Sequence, residues 1–509
     1  MQTNSTDNKK IHIIIIIAAV LAIYGQTVFF DALAYDDEMY VFTNRFINGS
    51  EKSSFTDYFI PGIIRSDIYM PVTLLLFRLI YMTAGPSAQA FHAVSLLIYA
   101  SSCALFYILS SKILACGRKG LLYPESHKAE RYMLSPRLNG NIPALAAALI
   151  YACLPLHVEY VSWISATGYS LAASLFFASF IIFIDLYDGF NPAKFAVFAL
   201  ASVSAVLAQP AAAVLPLALG AWTICFRKGR IMQAASMASV PAAAAIACAI
   251  LTRMAIGAGR DGIGFTAAEK AAGFGRYIFN FLFPCDLMMS YTDLKGPAIS
   301  PLYIIFALLA VLSILFIIRK STLGTFCSML FFLSFLPYLN ILYVIEYLVQ
   351  DRYMVFTSCA WAIGSVLIFT ALATGLKNIR IMKAASAGLI IFYTVCSLLY
   401  IPVWKNSESL FSYEYAKNPN DRQTAASYGF LLKDKGKYEE AVKIADRLIE
   451  DFPDFVRGYG LKVICLEETG NYNEIYRECD KAKKKHPDFF YIHMLEARAD
   501  YASGRYKEA

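Results

Sequence analysis

"IHIIIIIAAVLAIYGQTVFFDALAYDDEMYV", residues 11–41, decides how the rest of the chain is read. Residues 11–30 are apolar over the length a helix needs to cross a ~30 Å hydrocarbon core. Lys9 and Lys10 precede them, and no small-residue cleavage site follows, so they are read as an uncleaved first span. Asp36 and Asp37 stand directly beyond the apolar run. Carboxylates at the lip of a membrane are costly and are kept where structure or chemistry uses them.

The composition extends that first span to the whole chain. Of 509 residues, 58% are hydrophobic and only 16% are charged, which is too apolar for a soluble protein of this size. Apolar blocks recur at 91–111, 142–163, 168–186, 195–208, 210–226, 232–256, 301–318, 323–343, 353–376 and 384–402. With 11–30 they make about 11 transmembrane helices, the arms around Gln209–Pro210 being short for a full crossing. The segments 70–83 and 271–289 are apolar but are read as interfacial or re-entrant helices. The eleven cysteines form no disulfide framework, because most fall inside apolar runs. Cys465 and Cys479 lie in the polar tail, where pairing depends on the compartment.

Lys and Arg counts orient the chain. Lys9–Lys10, the 112–137 loop, Arg227–Arg230, Arg319–Lys320 and 377–383 fall on one side, read as cytoplasmic. The other side receives 31–85, His157–Glu159, 256–300, 346–352 and everything after Trp404. The net charge of +7 therefore reflects topology and does not indicate nucleic acid. The setting is a bacterial inner membrane with the tail in the periplasm, or alternatively an ER membrane with the tail in the lumen. Neither compartment offers ready ATP or nucleotide sugars, so a transferase working there is expected to take its group from a lipid-linked donor.

The tail, 404–509, has its own period. Pro419, Pro453 and Pro487, then Gly436, Gly470 and Gly504, then Tyr438, Tyr472 and Tyr506 each recur every 34 residues. This is the tetratricopeptide (TPR) period, in which a glycine turns one helix into the next and a proline closes each repeat. Repeats are expected at 420–453, 454–487 and, in part, 488–509, with Ala441 where paired helices cross. An array stopping at "GRYKEA" lacks a capping helix, so it is expected to continue or to be truncated. Such arrays take protein partners in a concave groove or serve as packing scaffolds.

Several stretches together resemble a family. "YDDEMYVFTNRFI", "YMPVTLLLFRLIYMTAGPSAQAFHAVSLLIYA", "LPLHVEYVSWISATGYSLAASLFF", "AQPAAAVLPL", "QDRYMVFTS" and "VWKNSESLFSYEYAKNPND" are similar, in order, to motifs of the transmembrane and TPR repeat-containing (TMTC) O-mannosyltransferases and their bacterial relatives. The resemblance spans the chain and implies a GT-C membrane glycosyltransferase domain at 1–403, an acidic motif in the first extracytoplasmic loop at 31–85, and a polyprenyl-phosphate sugar donor. Tyr35, Met70, Leu154 and Gln209 stand where the family carries Trp, Arg, His and Lys.

Transfer from such a donor needs a carboxylate to take the acceptor hydroxyl's proton and cations or hydrogen-bond donors for the departing phosphate. The candidate base is Asp36, with Asp37 orienting it; the plainer alternative is an acidic helix cap. Arg352 in "QDRY" is the candidate phosphate ligand, the alternatives being an ion pair with Asp351 or snorkelling. His157, Glu159, Arg276 and His92 are further donor-binding candidates, and Arg65 is a weaker cationic one. No cofactor is assigned. A divalent cation held by Asp37, His157 and Glu159 is disfavoured because the ligand set is incomplete.

The expected activity is inverting transfer of a sugar, mannose by resemblance, to a Ser or Thr hydroxyl of a protein. The alternatives are the same chemistry on a glycan or lipid acceptor and a non-catalytic membrane anchor displaying TPR repeats. The expected partners are the polyprenyl-phosphate sugar, the acceptor, membrane lipids and a protein bound by the repeats.

Overall fold

The computed structural model describes residues 3–34, 36–62, 68–119, 141–256, 265–291, 303–305, 321–338, 347–485 and 490–505. Tyr35, Arg65, Arg319, Lys320, Glu346, Pro487, Tyr506, nearly all of 301–318 and most of the 112–137 loop lie outside them. Every regular element among the described residues is helical. The chain divides into two compact units, Met1–Lys405 and Asn406–Ala509.

The first unit contains α1 (Thr3–Tyr24), α2 (Arg45–Asn48), α3 (Pro71–Ala84), α4 (Ala88–Lys119), α5 (Asn141–Ala152), α6 (Val158–Ser162), α7 (Thr167–Asp188), α8 (Pro192–Ala208), α9 (Leu215–Phe226), α10 (Ile231–Ile256), α11 (Ala267–Leu282), α12 (Thr322–Leu333), α13 (Thr357–Gly375) and α14 (Ile379–Tyr400). Among the described residues, six stretches are long and apolar enough to cross a membrane: Asn8–Phe29, Ala88–Cys116, Ile164–Asp188, Ile231–Met254, Thr357–Gly375 and Ile379–Trp404. A seventh forms if Asn141–Ala152 and Pro155–Ser162 count as one span bent by 52°.

Among the described residues the eleven expected spans are thus represented by six or seven of full length, and nearly all of 301–318 lies outside those residues. The segments 195–208 and 210–226 appear as the shorter apolar helices Pro192–Ala208 and Pro210–Phe226, and the described part of 323–343 as the apolar stretch Thr322–Tyr338, residues 339–343 lying outside the described residues. Hydropathy counts apolar residues and is blind to backbone breaks. At 142–163 the break comes from Pro155, whose ring and missing N–H interrupt the helical ladder. The carbonyls freed there are taken up by side chains. Tyr99 donates to Ala152 O at 3.0 Å, and Ser397 donates to Cys153 O at 2.8 Å. A helix can bend inside a membrane only where such partners exist.

Span ends sort into two groups. At one end, Asp31 N donates to Lys405 O at 3.0 Å, joining the exits of the first and last spans. Trp163 lies 6.0 Å from Trp404, and His92, in the first turns of α4, approaches Asp31 O at 3.5 Å. At the other end, His12 meets Tyr107 at 2.8 Å, Lys112 pairs with Asp185, and Arg227 reaches Asp188 at 3.2 Å. The described lysines and arginines used to orient the chain fall at this second end. The acidic motif falls at the first.

Between α1 and α4 the chain folds over α3. Tyr40, Val41, Ile47 and Tyr58 pack with Met70, Leu74, Phe77 and Phe91. Met70, where the resembled family has arginine, is a buried core residue here. Asn44 caps α2, and the Arg78 guanidinium donates to Ile47 O at 2.9 Å near its other end. Gly168, in α7, admits close packing: a Cβ there would lie 2.8 Å from Thr73 Oγ1, which donates to Ala208 O at 2.7 Å.

The second unit contains α15 (Ser407–Lys417), α16 (Arg422–Asp434), α17 (Tyr438–Asp451), α18 (Val456–Glu468), α19 (Tyr472–Lys485) and α20 (Phe490–Ala502). The starts of α16, α18 and α20 are 34 residues apart, as are those of α17 and α19. Gly436, Gly470 and Gly504 have φ of +72°, +71° and +79°, the left-handed region where a side chain is strained. That is the physical reason the glycine recurs. Ala441 and Ala445 are fully buried in the core of the first pair. Lys462 ties successive pairs together, reaching Asp446 at 2.8 Å and Glu478 at 3.2 Å. Cys465 and Cys479 are buried and free. Gly436→Ala is expected to destabilise the first pair by about 1 kcal/mol, seen as faster amide exchange in α16 and α17 of the full chain with the first unit unchanged.

Candidate functional site

After Phe29, where the first span ends, the chain re-enters a helical turn at Asp36, which passes into a π-helical turn at Glu38–Phe42. Turns of this type often mark functional positions. Asp37 is wholly buried, while Asp36 is half-buried. The two therefore have different surroundings, as neighbours on a helix pointing about 100° apart should.

Both oxygens of Asp37 are engaged. Oδ2 accepts from Leu33 N at 2.9 Å, and Oδ1 accepts from Ser165 N at 2.8 Å and Ser165 Oγ at 2.5 Å. Asp37 does not cap the turn that follows it, so the plainer reading of the motif as a helix cap does not describe this carboxylate. It fastens the acidic loop to the turn Ile164–Ala166, 128 residues away. Burial pushes its pKa up to about 6 against the opposing pull of the Ser165 and Leu33 hydrogen bonds.

The same turn carries the basic partner. Trp163, two residues before Ser165, lies under the Arg352 guanidinium at 5.1 Å. Arg352 Nη1 bonds Glu159 Oε1, and Arg352 N donates to Glu159 Oε2 at 2.8 Å. Glu159 is 1% exposed and Arg352 retains 15% of its side-chain surface. The Glu159 carboxylate raises the Arg352 pKa against burial, so the guanidinium stays charged. Glu159 takes one of its five N–H donors. Three distant motifs thus converge on the Trp163–Ser165 turn: the acidic loop, "HVEYVSW" and "QDRY".

Asp351 is not the partner of Arg352. Its buried carboxylate accepts from Asn280 Nδ2 at 3.0 Å and from Tyr291 OH at 3.0 and 3.1 Å. Burial and the nearby Glu159 charge raise its pKa. Arg276 belongs to this second network. It stacks 4.5 Å from Tyr291, bonds Tyr303 OH, and donates to Asp286 O at 2.9 Å. Tyr277 holds the approach to Asp351, accepting from Gln350 N at 3.0 Å. The amphipathic helix α11, capped by Thr266 and Glu269, thereby positions the segment that presents Arg352.

The two histidine candidates lie elsewhere. His157 is buried at the α5–α6 break, with Nδ1 2.9 Å from Tyr99 OH and its ring packed among Tyr99, Tyr151 and Tyr160. His92 is buried edge-on to Phe30. Among the described residues, no three His, Cys, Asp or Glu side chains are grouped as a metal site.

Sequence reading missed Ser165, Trp163, Asn280 and Tyr291 as parts of these networks. The "SATGYS" stretch reads only as a small polar turn, and nothing local marks Ser165 as a partner of Asp37. No family model matches the chain, and neither does any curated protein or solved structure.

Proposed function

We propose that the chain is a membrane glycosyltransferase of the GT-C kind, moving a sugar from a polyprenyl phosphate to a protein hydroxyl on the extracytoplasmic side. Mannose and a Ser or Thr acceptor follow from the resemblance of the motifs to TMTC proteins. One observation carries the reading: an acidic loop and a charged arginine are drawn to a single turn, at the end of the bundle opposite the described lysines and arginines that orient the chain.

In this reading Asp36 takes the proton of the acceptor hydroxyl as its oxygen attacks the anomeric carbon. The carbon–oxygen bond to the phosphate breaks on the opposite face, and the phosphate leaves with the bonding pair. Arg352, with N–H groups beyond the one Glu159 occupies, steadies the developing charge. Asp37 holds the loop so that Asp36 meets the acceptor. The 34-residue repeats, read as TPRs, recruit the acceptor or a partner.

Glycan and glycopeptide profiles of cells with and without the chain test this. Loss of one class of hexose-bearing protein in its absence is the expected result. An unchanged profile of proteins and lipids overturns the reading. Deleting 406–509 should abolish protein modification, whereas a lipid-directed enzyme would keep its activity.

A pH profile adds a second check. A carboxyl group whose folded pKa lies above its unfolded value of about 3.9 binds its proton more tightly when folded. Its ionisation therefore removes stability as pH rises from about 4 to about 6. The ionised form is the one able to accept the Leu33 and Ser165 hydrogen bonds together. Activity is thus expected to fall as pH drops through about 6, and Asp37→Asn should remove that acidic limb from whatever activity remains.

A further inference from the structure

Cys285 follows α11 in the loop that carries Asp286 and Tyr291. Cys396 lies in the last two turns of α14, whose span runs on to Trp404. Their sulfurs are 3.7 Å apart although the residues are separated by 111 positions. Cys285 is exposed, whereas the other free cysteines are buried. Both sit at the bundle end of the acidic motif, since Lys405, just beyond that span, bonds Asp31.

We propose that Cys285 and Cys396 form a disulfide in the mature protein. This rests on the side assigned to that end of the bundle and not on sugar transfer. An extracytoplasmic compartment supports disulfides, whereas a cytoplasm does not. A disulfide has a sulfur–sulfur distance of about 2.05 Å, so the sulfurs must approach by roughly 1.7 Å. Cys285, on an exposed loop, is free to supply that movement by side-chain rotation.

The oxidant is a disulfide-bearing thiol oxidoreductase of the compartment. The Cys285 thiolate, its proton released to water, attacks one sulfur of the oxidant and expels the other as a thiolate. Cys396, deprotonated in turn, attacks Cys285 Sγ in the mixed disulfide and releases the second oxidant sulfur. Two thiols are oxidised and one disulfide is reduced to a dithiol.

The bond would fasten the 283–291 loop to the last span. Through Asp286 with Arg276, and Tyr291 with Asp351, that loop braces the segment bearing Arg352. Oxidation would thus fix the platform behind the candidate basic residue.

Membranes containing the full chain, quenched with N-ethylmaleimide under denaturing conditions and digested, decide the matter by mass spectrometry. The expected result is a peptide pair joined through Cys285 and Cys396 that disappears on reduction, with the other nine cysteines alkylated. Cys285→Ser should leave Cys396 alkylated. Alkylation of both residues in the unreduced wild-type chain, or Cys285 joined to a different cysteine, overturns the proposal whether or not sugar transfer is found.

Discussion

Asparagine at position 36 is expected to lower sugar transfer by about 10²–10⁴-fold, with the protein still folded and inserted. Asn matches Asp in shape but cannot take a proton, so the substitution removes general-base chemistry. The two neighbouring carboxylates give the experiment its resolving power. Asp37 is buried with both oxygens held by Leu33 and Ser165, whereas Asp36 is half-buried beside it.

Asp37→Asn should also reduce transfer, but through a different cause. An amide NH₂ would face one of the three donors now satisfied, loosening the loop from the Ile164–Ala166 turn. Amide exchange across 31–48 should therefore rise in Asp37→Asn and stay at the wild-type level in Asp36→Asn. Transfer from a synthetic polyprenyl-phosphate sugar, measured beside exchange, reads both effects. Wild-type rates in both variants would leave the proposed enzyme without a base. A silent Asp37→Asn with a rigid loop, beside an active Asp36→Asn, would exchange their roles.

Much of the fold was legible because local physics writes it into the sequence. The 34-residue spacing of Gly436, Gly470 and Gly504 reflects a backbone angle that side chains resist, repeated once in each helix pair. The helical membrane character followed from apolar blocks of crossing length. The number of spans did not, because the arms on either side of Gln209–Pro210 are helices shorter than a full crossing and nearly all of 301–318 lies outside the described residues.

The candidate site was legible only by its charged residues. Asp37, Glu159 and Arg352 stand out as charges at span ends. Ser165 and Trp163 are ordinary turn residues until the fold brings them to Asp37 and Arg352. Asp351 shows the same limit from the other direction. Adjacency suggested a pair with Arg352, but the Asn280 amide N–H and the Tyr291 hydroxyl claim its carboxylate. Which neighbour wins depends on tertiary contacts that spacing does not encode.

Removing the Arg352 guanidinium is expected to do more damage to the fold than any other substitution at the site. Arg352→Leu leaves Glu159, 1% exposed, as an uncompensated buried charge, a situation that costs about 3–5 kcal/mol. Poor expression and a lowered melting temperature in detergent should follow, and these alone would say nothing about catalysis. Glu159→Leu should likewise destabilise, since it strands the guanidinium. The double variant separates structure from chemistry. With both charges gone, a packed apolar pair is often as stable as the ion pair it replaces, so thermal stability should return to near wild type while transfer stays absent. Arg352→Lys supplies the remaining comparison. Its ammonium can still pair with Glu159, but it lacks the planar fork that donates to Glu159 and to a phosphate at once. A folded Arg352→Lys with weakened donor affinity fits a phosphate ligand. Full transfer by the charge-free double variant would reduce Arg352 to a structural prop and leave the departing phosphate without its proposed support.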